Sequence, residues 1–140
     1  MLQILLAEDN RADVLLVREA LNFHHLGYEL HVASDGLEAA RYIQRIDPEH
    51  GVPCPDLLLL DLNLPKKDGF EVLTVFRAHP MCASHPVIVI SSSGAPRDRE
   101  RVAELSARFF RKPTDLDDFM TLGALVRETM RGGAKAAATV

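Results

Sequence analysis

The sequence predicts an α/β domain with a single doubly wound, five-stranded parallel sheet and five helices. Short apolar runs alternate with stretches of helical periodicity along the chain, which is the pattern of strand–helix–strand units. The length of 140 residues suits one domain. With 47% hydrophobic and 26% charged residues, the chain is typical of globular rather than disordered protein. We therefore expect one domain over residues 1–131, followed by a flexible tail over 132–140.

The first two strand–helix units occupy residues 2–46. The apolar run at 2–7 predicts the first strand, and apolar residues at helical spacing predict a helix from 11 to about 24. Residues 28–33 alternate apolar and polar side chains, as a half-buried edge strand does. A turn at 34–36 then begins a second helix, whose apolar side carries Ala39, Ile43 and Ile46.

The remaining units follow a long loop at 47–55. Residues 56–61 are continuously apolar between two carboxylates, which predicts a central strand buried on both faces. A third helix carries Phe70, Leu73 and Phe76 in register, and the fourth strand covers 87–90. A short charged helix at 96–105 and a strand at 107–111 come next. The last helix has an apolar stripe formed by Leu116, Phe119, Leu122, Val126 and Met130.

Charge and composition exclude several classes of partner. A formal net charge of −4 argues against the phosphate backbone of nucleic acid. No apolar run approaches the roughly 18 residues of a membrane helix, and the N-terminus lacks the basic start of a secretory signal. We expect a cytoplasmic protein with neither a nucleic-acid nor a membrane partner. Cys54 and Cys82 have no metal-binding spacing, so we expect two separate thiols.

Polar side chains stand at the carboxyl end of four predicted strands. Glu8 and Asp9 follow the first strand, Asp61 ends the third, Ser91 follows the fourth and Lys112 follows the fifth. These ends converge at one edge of a parallel sheet, where ligands gather. Carboxylates crowded there repel one another unless a hard cation lies among them, and an all-oxygen site suits Mg²⁺. A lysine and a hydroxyl on the same edge would bind a tetrahedral anion, so the site suits a phosphoryl group.

Each of these residues also has an ordinary structural explanation. Glu8 and Asp9 precede Asn10 as in a helix cap, and Asp61 could belong to turn chemistry. Ser91 alone is more often structural, and Lys112 alone would be a solvated charge before a helix. The functional interpretation is favoured because all four strand ends meet at one edge.

Four segments resemble the receiver domains of two-component response regulators. They read ILLAEDN at 4–10, LLLDLNLP at 58–65 with DG at 68–69, VIVIS at 87–91 and RKP at 111–113. The resemblance covers residues 3–130 and implies the flavodoxin-like (βα)5 receiver fold. It also implies that Asp61 accepts a phosphoryl group from a phosphohistidine of a sensor histidine kinase, with Mg²⁺ neutralising charge.

The same resemblance assigns roles to the other residues at this edge. It implies that Asp9, Asp61 and the backbone carbonyl of Asn63 hold Mg²⁺, with Glu8 acting through a coordinated water. Lys112 would pair with a phosphoryl oxygen. The expected switch residues are Ser91, which would move to hydrogen-bond the phosphoryl group, and Phe109, which would turn inward behind it.

Departures from the commonest family pattern leave details open. The acidic pair is Glu-Asp rather than two aspartates, serine replaces the more usual threonine, and Phe109 lacks a hydroxyl. Ser92 and Ser93 compete with Ser91, whose place directly after the apolar strand favours it. Phe110 competes with Phe109, because alternation sends one ring to each face.

The resemblance implies a phospho-accepting signalling switch rather than an enzyme. It indicates a stand-alone receiver similar to the small receivers paired with bacterial phytochrome kinases. An unknown downstream protein would contact the rearranging surface, and a homodimer through that surface is a further expectation.

Three other functions remain as alternatives. A degenerate receiver would bind partners without phosphorylation. A haloacid-dehalogenase-type phosphatase also uses an aspartate nucleophile with Mg²⁺, but its second aspartate is replaced by Asn63. A flavin or nucleotide binder would need a glycine-rich first turn, where this chain has Glu8 and Asp9.

Overall fold

The protein is a five-stranded parallel sheet with helices on both faces, as the sequence predicts. In the computed structural model the backbone is described for residues 1–139 and the side chains for residues 1–132. The strands are β1 (Leu2–Ala7), β2 (Tyr28–Ala33), β3 (Leu57–Asp61), β4 (Val87–Ser91) and β5 (Arg108–Arg111). Their order is β2-β1-β3-β4-β5, with every pairing parallel. β2 is therefore an edge strand, and β3 is the central one.

Within residues 1–139, six α-helices connect and cover the strands. They are α1 (Arg11–Phe23), α2 (Gly36–Gln44), α3 (Gly69–Ala78), α4 (Pro96–Glu104), α5 (Leu116–Phe119) and α6 (Thr121–Thr139), with a short 3-10 helix at Pro48–His50. Side-chain caps begin four of the first five: Asn10, Asp35, Asp68 and Asp115 each accept a backbone N–H of the first turn.

Two apolar clusters fill the space between the sheet and its helices. One contains Leu58 and Leu60 of β3 with side chains of α2, α3 and α4. The other contains Leu57 and Leu59 of β3 with side chains of α1, α5 and α6. The side chains of β3 alternate between the two faces, so a continuous run of leucines is buried on both sides. This burial explains why the central strand has no polar residue before Asp61.

The last helical segment differs from the prediction of one continuous helix. It is divided at Met120 into α5 and α6, and Thr121 Oγ1 donates to the carbonyl of Asp118 at the junction. The division takes Leu116 out of the predicted stripe, and its side chain is 58% exposed. Phe119, Leu122 and Val126 are buried as expected. α6 continues to Thr139, into the segment predicted to be a tail, while side chains from 133 onward lie outside the described residues. The boundary between domain and tail stays a prediction.

The expectation of two separate thiols is wrong. Cys54 and Cys82 form a disulfide with a Cα–Cα distance of 5.8 Å, although 28 positions separate them. Cys54 precedes β3, and Cys82 follows α3, which carries the chain back to the amino edge of the sheet. The two residues therefore meet through the βαβ crossover, and the sequence carries no spacing motif that marks such a pair.

Gly36→Ala is expected to destabilise the fold by roughly 1–3 kcal/mol, since over-packing costs about that much. Gly36 begins α2 and donates its N–H to the carbonyl of Pro65 at 3.1 Å. An added Cβ would lie 1.6 Å from the carbonyl oxygen of Lys67, so the loop after β3 would have to move. Thermal and urea denaturation measure the change. Gly27→Ala is the matched control, because no atom lies within 4 Å of its added Cβ.

Candidate phospho-acceptor and metal site

The predicted site residues meet at the carboxyl edge of the sheet. Glu8 and Asp9 follow β1, Asp61 is the last residue of β3, and Ser91 is the last residue of β4. Lys112 follows β5, and its backbone N–H donates to the carbonyl of Ser91 at 2.8 Å. This bond continues the pairing of β4 and β5 beyond Arg111 and holds the backbone of Lys112 beside Ser91.

Three carboxylates at this edge are close enough to share a cation. One oxygen each of Glu8, Asp9 and Asp61 lies within 4.8 Å of the others. Glu8 and Asp61 are buried, whereas Asp9 is exposed. Two buried carboxylates beside an exposed one form an all-oxygen donor set that is open to water on one side, which is the kind of site Mg²⁺ prefers. The residues present therefore fit a divalent cation.

The ammonium group of Lys112 lies among carboxylates. Its Nζ donates to Glu8 Oε1 at 2.8 Å, Asp13 Oδ2 at 2.8 Å and Asp61 Oδ2 at 3.0 Å. The other oxygen of Asp61 accepts the N–H of Asn63 at 2.9 Å. Both oxygens of Asp61 are thus held by donors, which fixes the orientation of the carboxylate.

Asp13 was not among the residues that the sequence predicts for this site. The sequence argument considered only residues at strand ends, and Asp13 lies in the first turn of α1. The amino end of α1 follows directly from β1, so its first turn reaches the same edge as Glu8. The signal that could have found it is its place one turn after the acidic pair.

The predicted switch residues lie on one face of the sheet. The Ser91 side chain is fully buried and its Oγ accepts the N–H of Ser93 at 3.1 Å. Phe109 pairs with Val89 across β4 and β5 and packs in the cluster covered by α2, α3 and α4. Phe110 faces the opposite cluster, where its ring contacts Phe119 at a centroid distance of 5.8 Å. Since residues 89 and 91 share a face, Phe109 is the ring on the side of Ser91.

Phe109 is also covered by a cation. The guanidinium carbon of Arg99, on α4, lies 4.6 Å from the centroid of the Phe109 ring. This cation–π contact joins α4 to β5. A change in the position of the ring would therefore be transmitted to α4.

Burial and charge shift the ionisation of two groups in the site. Burial, together with the contacts to Asp61, raises the pKa of Glu8 from 4.5 to about 7, although Lys112 partly offsets the increase. For Lys112, burial opposes the charged form, but hydrogen bonds to Asp13, Glu8 and Asp61 outweigh it and raise the pKa. Among the described side chains of the site, carboxyl groups outnumber the ammonium group of Lys112.

The raised pKa of Glu8 predicts a pH-dependent response to Mg²⁺. A carboxyl group that binds its proton more tightly when folded stabilises the fold below pH 4.5, and this contribution is lost as pH rises through about 7. Mg²⁺ competes with that proton, so its stabilising effect should increase with pH across the same window. Thermal denaturation in EDTA and in Mg²⁺ at several pH values measures both effects. Glu8→Gln should flatten the dependence, and an equal dependence in that variant would contradict the assignment.

An α/β domain with an acidic, lysine-containing site at the carboxyl edge of its parallel sheet is the arrangement expected of a receiver domain. The family model for the response regulator receiver domain matches residues 4–122, and the chain belongs to this family. No helix within the described residues is long and apolar enough to cross a membrane.

Similar proteins include two response regulators, one of which is a phytochrome response regulator. Response regulator Rcp1 of Synechocystis sp. is 44% identical over 90 residues, which cover 64% of this chain and 61% of Rcp1. The match thus spans less than two thirds of that relative. The Mn²⁺-bound structure of Rcp1 is similar with a TM-score of 0.78 and 37% identity, over 88% of this chain and 89% of the other. The structure of the phosphorylated cyanobacterial phytochrome response regulator RcpA is similar with a TM-score of 0.79 and 35% identity. The match covers 90% of this chain and 91% of RcpA.

Proposed function

We propose that this chain accepts a phosphoryl group on Asp61 from a sensor histidine kinase in a Mg²⁺-dependent reaction, and that the modification changes its surface for partner binding or dimerisation. The observation that supports the proposal most directly is the meeting of Asp61 with Glu8, Asp9 and Lys112 at one edge of the sheet. The similarity to a phosphorylated response regulator supports the same reaction.

The metal site would use the carboxylates of Asp9 and Asp61 and the backbone carbonyl of Asn63, with Glu8 acting through a coordinated water. Bound Mg²⁺ would supply charge neutralisation at the phosphoryl oxygens. This positive charge matters because carboxyl groups outnumber the ammonium group among the described side chains of the site.

The reaction at Asp61 is a displacement at phosphorus. A carboxylate oxygen of Asp61 forms the new O–P bond, and the bond from phosphorus to the donor breaks, with its electron pair remaining on the donor imidazole nitrogen. The N–H of Asn63 and the ammonium of Lys112 orient the carboxylate before attack. Lys112 then pairs with a phosphoryl oxygen and offsets its charge.

Switching would follow from the new charge on Asp61. The Ser91 hydroxyl would donate to a phosphoryl oxygen, and Phe109 would turn inward into the space behind it. Phe109 would then leave its contact with Arg99 on α4. A partner that recognises the rearranged α4 and β5 surface would read the signal. The chain is on this proposal a switch rather than an enzyme.

The donor we propose is a phytochrome-type histidine kinase, because the phytochrome response regulator RcpA is similar over 90% of this chain with 35% identity. We propose that the reaction takes place in the cytoplasm, where the kinase domain of such a donor would be located. The disulfide between Cys54 and Cys82 is atypical of that compartment. Phosphotransfer from a purified phytochrome kinase, compared with an unrelated histidine kinase, tests the donor.

Intact mass spectrometry after incubation with Mg²⁺ and acetyl phosphate tests the proposal without any partner. The expected result is one phosphoryl adduct that is lost when EDTA replaces Mg²⁺. Failure to form the adduct, together with failure to bind beryllofluoride, would support a degenerate receiver that binds partners unmodified.

A further inference from the structure

Asp13 is a partner of Lys112 that belongs neither to the strand ends nor to the proposed metal ligands. Its Oδ2 lies 2.8 Å from Lys112 Nζ, as close as Glu8 and closer than Asp61 at 3.0 Å. The backbone N–H of Asp13 donates to Oδ1 of Asn10 at 3.1 Å, so the cap of α1 fixes the residue in place. Asp13 is thus held by α1 at a position that reaches the ammonium.

The ammonium has no N–H left for another acceptor. A lysine ammonium has three donors, and Glu8, Asp13 and Asp61 take one each. A phosphoryl oxygen on Asp61 can receive a hydrogen bond from Lys112 only after one of these three bonds is broken. The choice of which bond breaks therefore controls how readily Lys112 turns to the phosphoryl group.

Of the two acceptors that phosphorylation of Asp61 leaves unmodified, Asp13 can be released at less cost than Glu8. Its side chain is 23% exposed, whereas those of Glu8 and Asp61 are 3% and 7% exposed. Water can solvate the Asp13 carboxylate once Lys112 leaves it, but it cannot reach Glu8 as easily. Glu8 and Asp61 also have roles around the metal, which Asp13 does not.

We propose that Asp13 is a positioning residue that competes with the phosphoryl group for Lys112. It holds the ammonium on the α1 side before phosphorylation and releases it when Asp61 is modified. The exchange replaces one N–H···O bond to Asp13 with one to a phosphoryl oxygen, and no covalent bond changes. This inference rests on the proposed function, because it concerns the same contact between Lys112 and the phosphoryl group.

The test is the affinity for beryllofluoride, an analogue of the aspartyl phosphate, in the presence of Mg²⁺. Asp13→Asn should bind it more tightly, by roughly fivefold, as expected for removing a partly exposed charge-assisted hydrogen bond. The variant keeps the size of the side chain and leaves the backbone N–H that bonds Asn10 in place. Glu19→Gln makes the same charge change on an exposed position of α1 and should bind beryllofluoride like the wild type.

A second pair of proteins separates an effect through Lys112 from a simple change in charge. Asp13→Asn is compared with its parent in a Lys112→Ala background, where we expect less than about a twofold change in affinity. The rate of phosphorylation by acetyl phosphate is a parallel measurement on the wild type, the two single variants and the double variant. We expect Asp13→Asn to increase this rate only when Lys112 is present.

The outcomes are distinct. Equal tightening in both backgrounds would show that Asp13 acts only through its charge, and wild-type affinity in Asp13→Asn would show that it does not compete; either result overturns the inference while leaving the proposed function intact. A wild-type chain that neither binds beryllofluoride nor takes up phosphoryl would instead contradict the proposed function, and this inference with it.

Discussion

Asp61→Asn is expected to abolish phosphoryl uptake from acetyl phosphate. The carboxamide has no anionic oxygen to attack phosphorus, and no other carboxylate takes its place at the end of the central strand. Intact mass spectrometry should show one adduct on the wild type and none on the variant. An adduct of equal intensity on the variant would show that another side chain is the acceptor.

The same substitution should leave the fold intact and change the ionisation of its neighbour. Contacts with Asp61 raise the pKa of Glu8 after the larger effect of burial, so Asp61→Asn should lower that pKa toward its ordinary value. Nuclear magnetic resonance of the Glu8 carboxyl carbon measures it. Asp56→Asn is the matched control, because Asp56 precedes the opposite end of the same strand and bonds the N–H of Gln3. It should take up phosphoryl like the wild type.

The sequence predicted the sheet well because its strands are short apolar runs with polar ends. β1 and β2 match the prediction at both ends, and β3, β4 and β5 differ from it by a single residue. The burial of the central run on both faces also follows, since a parallel strand between two layers of helices has no face for polar side chains.

Three features depend on tertiary contacts that local sequence does not encode. The disulfide joins Cys54 to Cys82 across a crossover. The division at Met120 depends on how α5 and α6 each pack under the sheet. Asp13 enters the site because α1 starts at the same edge as the strand ends. Residues at strand ends can be placed from the topology alone. A helical residue whose side chain reaches the site can be identified only from the packed structure.

Lys112→Ala is expected to leave some phosphoryl uptake while weakening the switch and the metal-free fold. Nζ of Lys112 bonds Glu8, Asp13 and Asp61, so the variant leaves two buried carboxylates without their cation. Breaking a buried ion pair by removing one partner costs about 3–5 kcal/mol. Acceptance of the phosphoryl group depends first on Asp61 and the metal, so it should be slowed rather than lost.

The stability of this variant should depend more strongly on pH than that of the wild type. Lys112 lowers the pKa of Glu8 against the raising effects of burial and Asp61, so its removal raises that pKa above about 7. A carboxyl group with a raised folded pKa stabilises the fold at low pH and loses that contribution as pH rises through the folded value. The variant should therefore lose stability toward alkaline pH in EDTA and recover much of it in Mg²⁺.

Thermal denaturation of Lys112→Ala in EDTA and in Mg²⁺ at several pH values measures the stability effect. Lys67→Ala is the matched control, since its ammonium bonds only the exposed Glu71 at 3.6 Å among the described ion pairs, and its stability should follow the wild type. Switching is measured as the change in the environment of the Phe109 ring when beryllofluoride is added. At saturating beryllofluoride, this change should be smaller in Lys112→Ala than in the wild type. Bound Mg²⁺ can replace the lost positive charge for stability, but it does not replace the ammonium group as a partner of the phosphoryl oxygen. A variant whose stability is restored by Mg²⁺ and which still switches normally would therefore show that Lys112 serves only to balance charge.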